Sequence, residues 1–234
     1  EYHTEALVEK CLDSILNQTY RNIEVLVIDD GSNNGLDNIV ALINDDRVRL
    51  IKHGCNKGLL RARTTGMRNA TGDYFIFVDS DDMIGIDFIR LLLKRAQEDK
   101  VDIVVGNTVF VEENGEEKVS CLHRAAFNNI CLNDFEVREH YFTQEGRCHS
   151  WHNVWNKIYS KRLIDKCIDY IDSISSHIIM GEDILLSSLF MYWARGLRQE
   201  INANYFYFRR GESSVGESTQ SIRKFNKNVN DLKL

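Results

Sequence analysis

IEVLVIDDGS at residues 23–32 and DYFIFVDSDD at residues 73–82 are each a run of branched and aromatic apolar residues that stops at paired acids. Runs that are apolar at every position, rather than at alternate ones, are strands covered on both faces, as in a parallel sheet. Around them the period changes from two to about three and a half. Leu7, Val8, Cys11, Leu12, Ile15 and Leu16 form a helical stripe that Thr4 is placed to cap. Residues 36–43, 59–70 and 88–97 read as further helices, and 48–52 and 101–106 as further strands. Strands alternating with helices through residue 106 predict βαβ units and a mostly parallel sheet. Beyond it, residues 109–119 read as a hairpin about Glu113-Asn114-Gly115-Glu116. Residues 133–200 read as mainly helical, with aromatic clusters at 140–142 and 151–155, and 205–208 as a late strand. The expected organisation is an α/β half, 1–107, followed by a more helical half, 108–234.

The 234 residues are 43% hydrophobic and 27% charged, which excludes collagen-like, fibrous and disordered classes. A net charge of −6 argues against a nucleic-acid-binding surface. No apolar run is long enough to cross a bilayer, and no leader pattern opens the sequence at Glu1. A cytoplasmic location follows as the expectation, and the apolar stretch 184–193 reads as core rather than as a membrane-facing surface. Proline is absent, against roughly 5% in an average chain; nothing in the patterning accounts for it. The six cysteines form no CxxC pair and no zinc spacing, so they are expected to be reduced and mostly buried.

In an open α/β sheet, ligands bind beyond the carboxyl ends of the strands. Asp29-Asp30 and Asp79-Ser80-Asp81-Asp82 fall there. Carboxylates gathered at one edge repel one another unless a cation offsets them. Hard oxygen donors of this kind suit Mg²⁺ or Mn²⁺ serving a phosphate. The plainer alternative is that these acids are turn formers and helix caps. NKGLLRARTTG, residues 56–66, adds Arg61 and Arg63 among glycines that permit close backbone approach. Arginine is a natural phosphate partner. Residues two apart do not share a helical face, so one of the two is expected in solvent. His149 and His152 beside Cys148 lack further spaced metal ligands and read as surface or acceptor-groove residues. Trp151 and Trp155 suit either sugar stacking or the core.

Several ordered motifs together resemble family-2 glycosyltransferases of the GT-A fold, of the kind that build bacterial capsule, lipopolysaccharide or teichoic-acid glycans. They are Tyr2-His3-Thr4-Glu5, QTYRNIEVLVIDDGS (18–32), NKGLLRARTTG, TGDYFIFVDSDD (71–82), WNKIYSKRL (155–163), MGED (180–183) and YFYFRRGESS (205–214). The resemblance implies a Rossmann-like mixed sheet flanked by helices, with a more helical acceptor-binding portion. It implies that Tyr2 stacks on uracil, that Asp30 hydrogen-bonds the uracil ring with Asp29 in support, and that Arg63 contacts the nucleotide. In the DXD motif it implies that Asp79 lies near the ribose and that Asp81, with Asp79, holds Mn²⁺ or Mg²⁺ on the diphosphate. Asp183, with Glu182 beside it, takes the place of the catalytic base. Arg209 or Arg210 would meet the diphosphate where some relatives carry a metal-binding His. Against the family's pattern, the chain begins where the first strand should end, His3 replaces Asn, and Ile86 stands at a common Pro position.

The activity implied is inverting transfer of a sugar from a nucleotide-sugar, UDP-linked, to a hydroxyl of a glycan or lipid-linked glycan acceptor. Peripheral association with the inner face of the membrane is compatible with it, and oligomeric state is not legible. Three alternatives share the acid clusters. A receiver-like phospho-accepting module would need a Lys ending a later strand, which 101–106 lacks, and would leave the second half unexplained. A catalytically inactive sugar-nucleotide-binding relative would have little reason to keep Asp79, Asp81 and Asp183 together. A phosphohydrolase would want Thr or Val where Met83 and Ile84 stand.

Overall fold

The structure, a computed structural model, describes residues 4–32, 35–119, 131–144, 149–174, 178 and 181–209. Its helices are α1 (Thr4–Leu16), α2 (Leu36–Ile43), α3 (Leu59–Asn69), α4 (Phe88–Asp99), α5 (Asp134–Glu139), α6 (His149–His152), α7 (Lys161–Asp172) and α8 (Glu182–Trp193). Its strands are β1 (Val25–Asp29), β2 (Val48–Lys52), β3 (Tyr74–Ile76), β4 (Met83–Ile84), β5 (Ile103–Val111), β6 (Glu117–Val119), β7 (Cys131–Asn133), β8 (Lys157–Ser160) and β9 (Gly196–Phe208). β1 and β2 form a parallel pair in register from Val25↔Val48 to Asp29↔Lys52. The remaining strands make a seven-stranded sheet in the order β3-β8-β5-β9-β4, with β6 on β5 and β7 on β9.

This sheet is mixed, as the family resemblance implies, and not mostly parallel as the strand–helix alternation predicts. β8 lies antiparallel between β3 and β5, while β5 and β9 run parallel. The alternation misleads because β8 and the first five residues of β9 come from the stretch that reads as helical. A four-residue strand, KIYS, is too short to show its own period before the strong stripe of α7 begins. β5 itself crosses position 107/108, and its partners β8 and β9 come from beyond it, so both halves contribute to one sheet.

Burial follows the patterning. α1 buries Val8, Leu12 and Leu16 of the predicted stripe against Val25, Leu36 and Ile39, and Cys11, also buried, faces the loop after β3. α4 lays Phe88, Leu92 and Ala96 against Val104, Ile158 and Ala203 of the sheet. The largest cluster joins Ile103, Tyr159 and Leu197 to Leu163, Ile164 and Cys167 of α7 and to Leu186 and Phe190 of α8. Asp102 fastens the edge of that cluster, accepting from Arg162 Nε at 3.1 Å and from Arg195 N at 2.8 Å. Burial alone would raise the Asp102 carboxyl, but these bonds and the one from Ser160 Oγ hold it below the ordinary carboxylate range.

Three further expectations need correction. The strand read over 73–82 ends at Ile76; after a single bridge, Phe77↔Trp155, the chain leaves the sheet and residues 79–82 form a loop that exposes Ser80 and Asp81 and buries Asp82. The strand read over 101–106 continues to Val111, because its second half pairs with β6 in the predicted hairpin. Among the four described cysteines only Cys11 and Cys167 are buried, whereas Cys55 and Cys131 are exposed in a loop and a short outer strand.

Candidate active site

The acids after β3 are held by the C-terminal part of β9. Tyr205, fully buried, donates its hydroxyl to Asp82 Oδ2 at 2.9 Å and accepts the Asp79 backbone N–H at 3.1 Å. Phe208 N donates to Asp82 Oδ1 at 3.0 Å. Burial and the neighbouring Asp81 and Asp79 push the Asp82 carboxyl up to about 8, although both hydrogen bonds work the other way. The Cys11 thiol, which donates to the Asp79 carbonyl at 3.5 Å, is pushed up to about 12 by burial and by the same three acids. Burial is the larger cause in both shifts, and the crowding of three acids on one loop adds to it. Asp81 is exposed and Asp79 is partly so, while Asp82 points inward. Trp155 stacks on Tyr205 and Tyr207, with centroids 4.8 Å and 5.2 Å away, and stiffens this corner.

The cation that meets these acids is Arg63 of α3, whose side chain is 6% exposed. Its Nη2 donates to Asp79 Oδ1 at 3.2 Å, and its Nη1 donates to Glu182 Oε1 at 3.3 Å and to Asp183 Oδ1. One guanidinium thus joins the loop after β3 to the first turn of α8. That turn is built on Gly181, which caps α8 at φ 90°, a left-handed conformation suited to glycine. Acids in the first turn of a helix are stabilised by its macrodipole. Asp183 is nevertheless pushed up to about 6: burial raises it first, with Asp79 and Glu182 adding, and Arg63 and Lys157 pull it back. Lys157 is itself fully buried, its ammonium donating to Asn153 O at 2.8 Å and Asn156 Oδ1 at 2.9 Å. Arg61 points elsewhere, to the Ile174 carbonyl, so the two arginines do face apart, but neither is left fully in solvent.

The acids after β1 have a different setting. Asp29 is buried and caps its own turn, accepting from Ser32 N at 2.8 Å and Ser32 Oγ at 2.6 Å. Asp30 points the other way and gathers the loop before α3, accepting from His53 Nδ1 at 2.6 Å, Lys57 N at 2.9 Å and Gly58 N at 2.7 Å. Burial would raise its carboxyl; the bonds from His53 and the two amides outweigh that and hold it low. Gly31, at φ 78°, makes the approach possible, since a Cβ there would lie 2.6 Å from the Cys55 carbonyl carbon and 2.7 Å from Asn56 N.

Asp79, Glu182, Asp183 and Arg63 are thus brought together, with Asp81 on the same loop as Asp79, and Asp30 lies at the N-terminal entry to α3. Arg209 is directed to the β5–β6 hairpin: its guanidinium lies 4.1 Å over the Phe110 ring and donates to Glu112 Oε1 at 3.1 Å. Tyr2, His3, Arg210 and Met180 lie outside the described residues. Trp151 is fully buried and belongs to the core. His152 meets the Tyr141 hydroxyl at 3.1 Å, and among the described residues no group of three or more His, Cys, Asp or Glu could hold a metal ion by itself. Tyr205 and Lys157 fall inside the motifs YFYFRRGESS and WNKIYSKRL but receive no role there, because their partners are distant in sequence; His53, 23 residues after the acid it contacts, falls in none.

The sequence matches the family described as Glycosyl transferase family 2 over residues 2–172. It is similar to "Glycosyltransferase GlyA" of Streptococcus pneumoniae, 34% identical over 200 residues that cover 84% of this chain and 29% of that protein. It is also similar to "UDP-Glc:alpha-D-GlcNAc-diphosphoundecaprenol beta-1,3-glucosyltransferase WfgD" of Escherichia coli, 29% identical over 48% of this chain and 45% of that one. Among solved structures, S. aureus TarS 1-349 in complex with UDP-GlcNAc superposes with a TM-score of 0.70 at 20% identity, covering 88% of this chain and 56% of that chain. The GT-A fold implied by the motifs is therefore the fold found. This chain spans less than a third of GlyA and just over half of TarS 1-349.

Proposed function

This chain belongs to glycosyl transferase family 2, and on that premise we propose that it transfers a sugar from a UDP-linked donor to a hydroxyl of a bacterial surface glycan, with inversion. The observation that carries the reading is the Arg63 junction, which holds the DXD acid Asp79 and the pair Glu182-Asp183 around one guanidinium. Asp183 accepts the proton of the acceptor hydroxyl as its oxygen bonds to the anomeric carbon, while the bond to the diphosphate breaks and UDP leaves. A carboxyl near 6 is mostly ionised at neutral pH and more basic than an ordinary aspartate, as a general base requires. Asp30 accepts from the nucleobase, with Asp29 shaping its turn. Tyr2 and Arg210 keep the roles the family motif gives them, stacking on uracil and meeting the diphosphate, whereas Arg209 is engaged by Phe110 and Glu112.

The hard carboxylate oxygens of Asp79 and Asp81 fit a divalent cation, Mn²⁺ or Mg²⁺, and the neighbouring acids add to the burial that raises Asp82 and Cys11. Bound there with a diphosphate, such an ion offsets the charge developing on the leaving group. Two protein carboxylates are few, so the diphosphate and water would complete its shell. The partners follow from the reading: a nucleotide-sugar donor and a glycan or lipid-linked glycan acceptor. Among the described residues no helix is long and apolar enough to cross a membrane. We place the reaction on the cytoplasmic side, where peripheral contact with the membrane would bring a lipid-linked acceptor to the site. The family match does not favour a receiver-like module, and the retained acids speak against an inactive relative.

The test is a panel of nucleotide-sugars scored for UDP release, with and without Mn²⁺. Turnover of a UDP-sugar that disappears in chelator is the expected result. Calorimetry with UDP is expected to show affinity that collapses in EDTA and in Asp81→Ala; equal affinity with and without metal would remove the DXD assignment.

A further inference from the structure

We propose that His53 and Thr65 are the positioning pair of the nucleobase pocket, leaving one oxygen site on Asp30 to accept an N–H from the base. The proposal rests on the reading that Asp30 faces the base of the donor. The His53 side chain is 5% exposed, with Nδ1 2.6 Å from Asp30 Oδ1 and Nε2 2.8 Å from Thr65 Oγ1. An ionised carboxylate only accepts, so Nδ1 carries the hydrogen, and in the neutral imidazole Nε2 then accepts from the Thr65 hydroxyl. The choice made by Thr65 is informative because its neighbour makes the usual one. Thr64 turns its hydroxyl back to the Leu60 carbonyl at 2.7 Å, the common habit of a helical threonine. Thr65 instead reaches across to His53 and fixes the tautomer.

The consequence lies in what remains on Asp30. A carboxylate offers about four lone-pair sites. His53 and Lys57 N occupy Oδ1, and Gly58 N occupies one site on Oδ2. One site on Oδ2 is left. A single acceptor matches the lone imide N–H of uracil, whereas guanine presents two adjacent N–H donors at the equivalent edge and asks for two acceptors. Removing the imidazole frees one site on Oδ1, with Lys57 N keeping the other, so that both carboxylate oxygens can accept and guanine finds what it needs. His53 therefore determines base specificity through Asp30 without touching the nucleotide.

Calorimetry with UDP and GDP in the presence of Mn²⁺ tests this on the full chain. His53→Phe is expected to weaken UDP about tenfold, in line with loss of a hydrogen bond to a charged group, and to narrow the UDP-over-GDP preference while the requirement for metal stays. His53→Asn places an amide N–H where Nδ1 stood and is expected to keep the preference. His53→Gln places it where Nε2 stood and is expected to lose it. Thr65→Val is expected to weaken UDP a few-fold. A residue of merely structural importance would lower the melting temperature without changing base preference. Asp30→Ala separates the two levels of the argument. If the unmutated protein shows no preference, or Asp30→Ala keeps it, the reading of Asp30 fails and takes the proposal with it. If Asp30→Ala abolishes the preference but His53→Phe and His53→Gln retain it, the proposal alone is overturned. Should His53→Phe not fold, equal preference in His53→Asn and His53→Gln overturns it equally.

Discussion

At the scale of single residues, Asp183 separates a catalytic role from a structural one. An acid in the first turn of α8 stabilises the helix whether or not it takes a proton. Asp183→Asn keeps the size and the oxygen that faces Arg63, so stability should fall by no more than about 1 kcal/mol, whereas turnover should fall at least about a hundredfold. Melting temperature, UDP affinity and turnover measured on one preparation decide it; near-normal turnover would pass the role to Glu182. The pH profile supplies an independent check. A carboxyl at about 6 is protonated below that value and cannot accept, so kcat should be lost as pH falls through about 6 and reach a plateau above it. Arg63 holds that value down. Arg63→Met should therefore move the acid limb upward, and should destabilise the fold by about 3 kcal/mol by stranding partly buried acids, as chemical unfolding would show.

At the scale of elements, α3 is the spine of the site. Its first turn, entered through Gly58, receives Asp30; Arg63 reaches Asp79 and α8; Thr65 reaches His53; and Arg68 pairs with Asp169 and Asp172 of α7. The approach of β1 to that spine depends on Gly31, where a side chain would meet backbone atoms that cannot give way. Gly31→Ala should cost about 1–2 kcal/mol in stability through its left-handed backbone alone, and should weaken UDP binding more than a substitution at exposed Gly54, measured by thermal melting and calorimetry. Much of this was legible beforehand. The acids after β1 and β3, the helix 59–70 and the pair at 182–183 all stand out because local period and local composition mark them. Interactions across long sequence separations were not. Tyr205 reaches Asp82 across 123 residues, and the Arg63–Asp183 pair spans 120; no local pattern carries such a partnership. Residues 155–160 hid their strand for the same reason, since β8 is a strand only because β3 and β5 flank it.

For the molecule as a whole, the sheet removes any independence of the two halves. β3 and β5 complete their hydrogen bonding only with β8 and β9, so residues 1–107 expressed alone should lack native circular dichroism, and the chain should unfold in one transition. The stacking of Trp155 on Tyr205 and Tyr207 has a consequence in light rather than in energy. The chain holds three tryptophans, and only Trp155 stacks on the tyrosine whose hydroxyl binds the acids beside the proposed metal ligands. Whatever changes the charge on those acids changes the electric field across that indole, so the colour and intensity of its emission form a built-in optical gauge of what the acids are holding.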